Sequence, residues 1–294
     1  MTRASANFLL LTAGAVWGMG FLAQSTAMAH IGPWTFVATK FLIAAMALLP
    51  FAWREGRRAH ARPLDRRSLA GFCLSGTLLF VAAILQQIGI VSTSVTNAGF
   101  LTGLYVVFTP LLSLALLRQH PHPVVWPSAA AAFLGIALLG GGGAALGLGD
   151  LLMVACALFW ALQIMAVGRV VAASGRPLAL SAVQFAVCGL LALAGTGLFE
   201  APRLAGLQAA LPEILYGGLF ATGLAFTLQV IGQRHTSAPQ AAIFLSSEAL
   251  FAALFGALFL GERIGPVGLL GCALIFSAML AVELVPLRAG RRVG

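Results

Sequence analysis

Acidic side chains are scarce, with eight Asp and Glu among 294 residues, and charged residues of either sign make up only 9% of the chain. A soluble domain carries about 25% charged residues, and this chain is 60% apolar, more than a soluble fold of this length can bury. Lipid must therefore serve as solvent for much of the surface. Cysteine is also sparse. Cys73, Cys156, Cys188 and Cys272 stand singly inside apolar runs, with no CxxC or Cys/His spacing, so they read as small core hydrophobes. The five histidines all fall in or beside the connections between runs, which deprives the interior of a Ser–His dyad or a histidine metal site. No metal and no cofactor is expected. The net charge of +9 does not signal nucleic acid, because the basic residues lie in short segments between apolar runs rather than in a stripe with aromatic neighbours. GGGGAALGLG from Gly140 lacks a following GK[ST], so it is expected to be a flexible outer connection and not a phosphate loop.

What the chain does have is a series of long apolar runs. Ten of them, near 7–29, 33–53, 68–90, 95–117, 124–142, 150–171, 178–199, 213–233, 238–260 and 266–287, have the length of membrane-spanning helices. The first imitates a signal peptide, with Arg3 before it and Ala27–Ala29 at its end. At about 22 residues, however, it is long for one and right for a span. Placing the N-terminus in the cytoplasm puts Arg3, Arg54, Arg57, Arg58, Arg62, Arg66, Arg67, Arg118, Arg169, Arg176, Arg234, Arg288, Arg291 and Arg292 inside. Only Arg203 and Arg263 fall outside, and Lys40 lies within a span. This bias predicts an even number of helices with both termini cytoplasmic. Trp34, Trp53 and Trp126 sit where interfacial aromatic belts belong.

One spacing recurs. Trp17 and Trp160 are 143 positions apart, as are TSVTNAGF from Thr93 and TSAPQAAI from Thr236, and Pro123 and Pro266. The chain therefore reads as two five-helix units, 1–144 and 145–294. An odd number of helices per unit inserts the second upside down relative to the first, the construction of many secondary transporters. The expected fold is an all-α integral membrane protein of ten transmembrane helices in two inverted repeats.

GAVWG in the first run, NAGFLTGLYVVFTPLL in the fourth and SSEALFAALFGALFLGERIG in the ninth resemble the drug/metabolite transporter superfamily, specifically its ten-helix EamA-type branch. The resemblance covers nearly the whole chain. It implies a multi-pass protein of the bacterial inner membrane that exports small metabolites, with amino acids, including aromatic ones, as the favoured substrate class. Where that family often has Glu-Pro in the ninth span, this chain has Glu248-Ala249.

Helix rise of about 1.5 Å per residue places Trp17, Tyr105, Trp160 and Glu248 at one level, about ten residues into spans one, four, six and nine. Tyr105 and Glu248 are themselves 143 apart. Ionising a carboxyl at that depth costs several kcal/mol, so Glu248 is either protonated or paired with a cation such as Lys40 or a substrate ammonium. Indoles facing a cavity would stack on apolar or aromatic substrate parts. Lys40, the sole lysine, either snorkels to the outer interface or lines the exit side of the cavity and holds a carboxylate. Gln163, Ser246 and Ser247 are further expected contacts. Gln24, Gln86, Gln87, Asn97, Gln184 and Gln229 are candidate path-lining groups, though most such side chains serve interhelical hydrogen bonds. Gly14, Gly18, Gly99 and Gly103 form two GxxxG pairs for close helix approach, and Pro110 should bend span four as a gate.

The expected mechanism is alternating access around a cavity of spans one, three, four, six, eight and nine. The partners are a small-molecule substrate and the bilayer, with no nucleic acid, and the protein is compatible with a monomer. Three alternatives stay open: a proton-coupled exporter of drugs or other metabolites, a passive channel, and an intramembrane enzyme, for which Glu248 and Lys40 offer few reactive groups.

Overall fold

The computed structural model describes residues 1–57, 63–93, 95–139, 147–260 and 265–291. The glycine run from Gly140, the residues Arg58, Arg62, Arg263 and Arg292, and the side chains of Asn97, Arg288 and Arg291 lie outside what is described. All regular structure among the described residues is helical. In chain order it comprises α1 (Arg3–Ala27), α2 (Pro33–Gly56), α3 (Arg66–Gly89), α4 (Val95–Thr102), α5 (Tyr105–Leu117), α6 (Val125–Leu139), α7 (Leu148–Ser174) and α8 (Pro177–Phe199). It continues through α9 (Leu204–Ala209), α10 (Leu211–Leu215), a π-helical segment (Tyr216–Leu224), α11 (Ala225–Gln233), α12 (Ala238–Leu245), α13 (Glu248–Leu260) and α14 (Pro266–Arg291).

Among the described residues, six helices are long and apolar enough to cross a membrane: α1, α2, α3, α7, α8 and the composite Leu211–Gln233. Shorter apolar helices cover Tyr105–Leu117, Val125–Leu138 and Pro266–Val282. The runs near 95–117 and 238–260, expected as single spans, are each two helices. Span four breaks at Gly103–Leu104 and span nine at Ser246–Ser247. At both breaks the backbone tightens to three-residue spacing: Val106 N–H donates to Gly103 O at 3.1 Å and Ala249 N–H to Ser246 O at 3.2 Å. Those bonds stand 143 positions apart. In span nine the Ser246 hydroxyl donates back to Ile243 O at 2.8 Å, the kind of local bond that competes with a helix ladder. No proline is needed for that break. Pro110 lies inside α5, about two turns beyond the interruption of span four rather than at it.

The two ends of the molecule are tied by polar groups. At one end Arg3 donates to the Gln240 side chain (2.8 Å) and to Val282 O (3.1 Å), joining the starts of α1 and α12 to α14. His235 lies exposed at this end, and slight desolvation, then the N-terminal ammonium and Arg234, hold its pKa below the ordinary histidine value.

The helix pair α2 and α8 is capped reciprocally. Glu55, near the end of α2, accepts from Leu178 N–H and Ala179 N–H at the start of α8, both at 3.0 Å, and from Arg176 Nε at 3.1 Å. Glu200, the C-cap of α8, accepts from Trp34 N–H (2.9 Å), Thr35 N–H (2.8 Å) and the Thr35 hydroxyl (2.6 Å) at the start of α2. The N-cap of α2, Gly32, has no side chain to offer, and a Cβ there would fall 2.3 Å from the Glu200 carboxyl. Each helix thus has its orphan N–H groups satisfied by the other's carboxylate.

Candidate functional site

A cavity opens between α1, α2, α3, the break of span four, α7, the π segment with α11, and the break of span nine. Its interior leaves about 60 Å³ for the centres of water-sized molecules. Trp17, Lys40, Tyr105, Trp160 and Glu248, all expected from sequence, line it together. Span two, absent from the expected set of cavity helices although Lys40 is a sequence candidate, also supplies Phe36 and Phe41.

Tyr105 and Glu248 are the first residues of α5 and α13, the half-helices that restart after the two breaks. The Tyr105 phenol donates to Glu248 Oε1 at 3.1 Å. Glu248 is only 6% exposed, and its position in the first turn of α13 favours a negative charge there. The register of α13 is fixed from behind by α1. A Cβ on Gly14 would meet Ser247 Oγ at 2.3 Å, and one on Gly18 would meet Ala252 N at 2.7 Å and Glu248 O at 2.8 Å. This first GxxxG pair therefore seats the acid-bearing segment. The second pair differs, since a Cβ on Gly99 meets nothing within 4 Å.

Lys40 does not snorkel. It is 7% exposed, with Nζ 3.4 Å from Gln24 Oε1, 4.8 Å from the Phe36 ring centroid and 5.5 Å from that of Phe41. Burial against two aromatic faces is a cation–π arrangement. Gln24 is in turn held by Gln87, whose amide donates to its backbone carbonyl at 3.2 Å.

The two tryptophans meet through a residue that the sequence reading did not single out. Phe226 stacks on Trp160 (centroids 5.5 Å, 22°) and tilts against Trp17 (4.6 Å, 57°), with Phe41 and Phe185 behind it. The Trp17 indole N–H donates to Ala221 O at 2.7 Å, and the Tyr216 phenol donates to Val16 O at 2.7 Å. Both acceptor and donor on the far side belong to the π segment, so α1 clasps it at two points. Gly217, Ala221 and Thr222 of that segment face the cavity. π-helical turns of this kind are rare and recur at functional sites. Its YGGLFATGL sequence, with three glycines, was the available signal.

Three expected contacts stand outside the lining. Ser246 and Ser247 are fully buried in the break of span nine. Gln163 is fully buried behind Trp160 and Ile164, bonded to Gln184 and Gln229. Pro110 is buried in α5 away from the cavity. Gln86, by contrast, does line it and donates to Thr102 Oγ1 at 3.2 Å.

The sequence profile of the EamA-like transporter family matches residues 4–141 and again 147–284. The chain belongs to the EamA-like transporter family. Among curated proteins it is 29% identical over 282 residues to an uncharacterized transporter of Archaeoglobus fulgidus, covering 96% of this chain and 87% of that one. It is 25% identical over 291 residues to the uncharacterized transporter YwfM of Bacillus subtilis, covering 95% and 94%. A solved crystal structure superposes with a TM-score of 0.81 at 20% identity, covering 98% and 99% of the two chains, which shows the shared fold. An EamA-like transporter is a multi-pass membrane protein handling small molecules within the bilayer, in keeping with the bacterial inner-membrane location expected from sequence.

Proposed function

We propose that this EamA-like transporter exports neutral amino acids with aromatic or apolar side chains by alternating access. In this reading ten spans form two inverted five-helix repeats, 1–144 and 145–294, with both termini in the cytoplasm. The double profile match and the two helix breaks 143 positions apart support the repeat. The charge asymmetry of the connections supports the orientation.

The observation that carries the substrate class is one cavity holding a carboxyl, an ammonium and a set of aromatic rings. Glu248, held by Tyr105, suits the substrate's ammonium. Lys40, turned inward over Phe36 and Phe41, suits its carboxylate. Trp17, Phe226 and Trp160 give an apolar side chain faces to stack on. Half-helix N-termini and broken helices near the midplane are the usual place for such a site in a carrier. With two halves related by inversion, the cavity exchanges exposure by rocking rather than by opening a continuous pore.

A second reading, proton-coupled export of a lipophilic cation, is favoured by the burial of Glu248, an acid costly to leave ionised and unpaired and so suited to take up a proton when no cation is bound. Lys40 separates the two. In proteoliposomes, Glu248→Gln is expected to abolish saturable phenylalanine counterflow, and Lys40→Met to weaken it severely while the protein still inserts. Phenylalanine flux unchanged in Lys40→Met, together with pH-driven flux of a lipophilic cation, replaces the first reading with the second.

A further inference from the structure

From the edge of the cavity runs a polar chain of which only Gln229 borders the site described above. Gln229 Nε2 donates to Gln163 Oε1 at 3.2 Å, and Gln163 Nε2 donates to Gln184 Oε1 at 3.2 Å. Three helices, α11, α7 and α8, contribute one amide each, with exposures of 1%, 0% and 0%. The two terminal atoms, Gln229 Oε1 and Gln184 Nε2, find no partner among the described residues, and neither does the hydroxyl of Ser181, one turn from Gln184 on α8.

The arithmetic of amides makes this more than a packing accident. Each primary amide has one acceptor oxygen and donor hydrogens, so a head-to-tail chain of three leaves an acceptor at one end and a donor at the other. Flipping all three amides reverses the chain but does not remove its ends. An apolar isostere would pack here without any such penalty, whereas unmet buried polar groups carry the full cost of desolvation. Groups of this kind fit a site whose partner arrives in another conformation.

Its position says which conformation. Gln229 itself borders the cavity. Gln184 and Ser181 lie seven and four positions from the start of α8, the end held by Glu55 and Arg176. The chain thus leads from the cavity toward the end of the molecule that carries the N-terminus, which the proposed orientation makes cytoplasmic. The cavity side chains on α1 and α2 all lie toward the opposite end.

We propose that Gln229, Gln163, Gln184 and Ser181 line the cytoplasmic half of the translocation route, closed in this conformation, and form a station for a solute of no net charge bearing both donor and acceptor groups. When the halves rock, Gln229 Oε1 takes the solute's donor and the Gln184 amide takes its acceptor. None of the four side chains is charged, so a zwitterion or a neutral polar molecule is accommodated while an ion of net charge gains no counter-ion. This rests on the preceding reading for its direction and substrate.

Accessibility to a membrane-impermeant thiosulfonate tests it without any substrate. In a transporter whose four native cysteines are replaced by alanine, Gln184→Cys is expected to react when the reagent is added to the cytoplasmic face of oriented vesicles and not to the outer face. Phe36→Cys, in the cavity, is expected to react from the outer face. Ser181→Cys, a nearly isosteric change, gives a second position should the glutamine variant fail to insert. Labelling from the outer face alone, or from neither face at both positions, overturns the proposal. Cytoplasmic labelling in a protein that moves no amino acid upholds this route and removes the substrate reading instead.

Discussion

Phe226 joins the two indoles that symmetry of the sequence pointed to, and it shows what was and was not legible at the level of single side chains. Trp17, Tyr105, Trp160 and Glu248 stood out because rare or polar groups recurred at one spacing and one depth. Phe226 is one of 20 phenylalanines, and nothing in spacing alone distinguishes a ring that faces a cavity from one that faces lipid. The direction of Lys40 was equally hidden, since its stem is long enough to reach either the interface or the interior. Gln163 and Ser246–Ser247 were expected at the substrate because of their depth. Depth, however, does not give the facing of a helix: Gln163 bonds to neighbouring helices and Ser246 to its own backbone. A substrate ring stacked on Phe226 would gain about 0.5–1.5 kcal/mol from that contact. Since about 1.4 kcal/mol is tenfold in affinity, Phe226→Ala is expected to raise the half-saturation concentration for phenylalanine about tenfold in a vesicle flux assay. A value within experimental error of wild type would place the substrate elsewhere.

Helices as units were more legible in existence than in continuity. Apolar length announced spans four and nine, but not that each is interrupted. The breaks depend on short-range choices, Gly103 in one and a serine bonding its own turn in the other, that weigh little against a long apolar run. The glycine pairs divide on the same principle. GxxxG is a pattern of spacing, and only tertiary contact decides whether it is used. Gly18 lies against the backbone of α13, so Gly18→Ala is expected to lower the melting temperature in detergent, its clash costing about 1–3 kcal/mol. Gly99→Ala meets open space. It is expected to leave melting unchanged or raise it slightly, by the better helix propensity of alanine. Equal effects at the two positions would contradict the packing described. The π segment adds a mechanical property to span eight. Tightening its wide turns to ordinary α-helical ones would turn α11 about its axis and re-aim Phe226 and Gln229.

Across the whole molecule, composition announced a membrane protein, while the bonds that join α2 to α8 required the fold. Glu55 and Glu200, 145 positions apart, look unremarkable at helix ends, and only the antiparallel meeting of α2 and α8 reveals that each closes the other's N-terminus. The two caps differ in surroundings. Glu55 is buried with Arg176, so Glu55→Gln breaks a buried ion pair and is expected to cost about 3 kcal/mol. Glu200→Gln, at a more open site that keeps an acceptor oxygen, is expected to cost about 1 kcal/mol. Thermal denaturation in detergent should rank them in that order, and the reverse order would show that the Arg176 contact is not what holds that end. The arrangement also restricts how the transporter can move. With one fastening at each extremity of a pair of parallel rods, lengthwise slip in either direction stretches one fastening against the other. Pivoting about their line of contact is the freedom left to them.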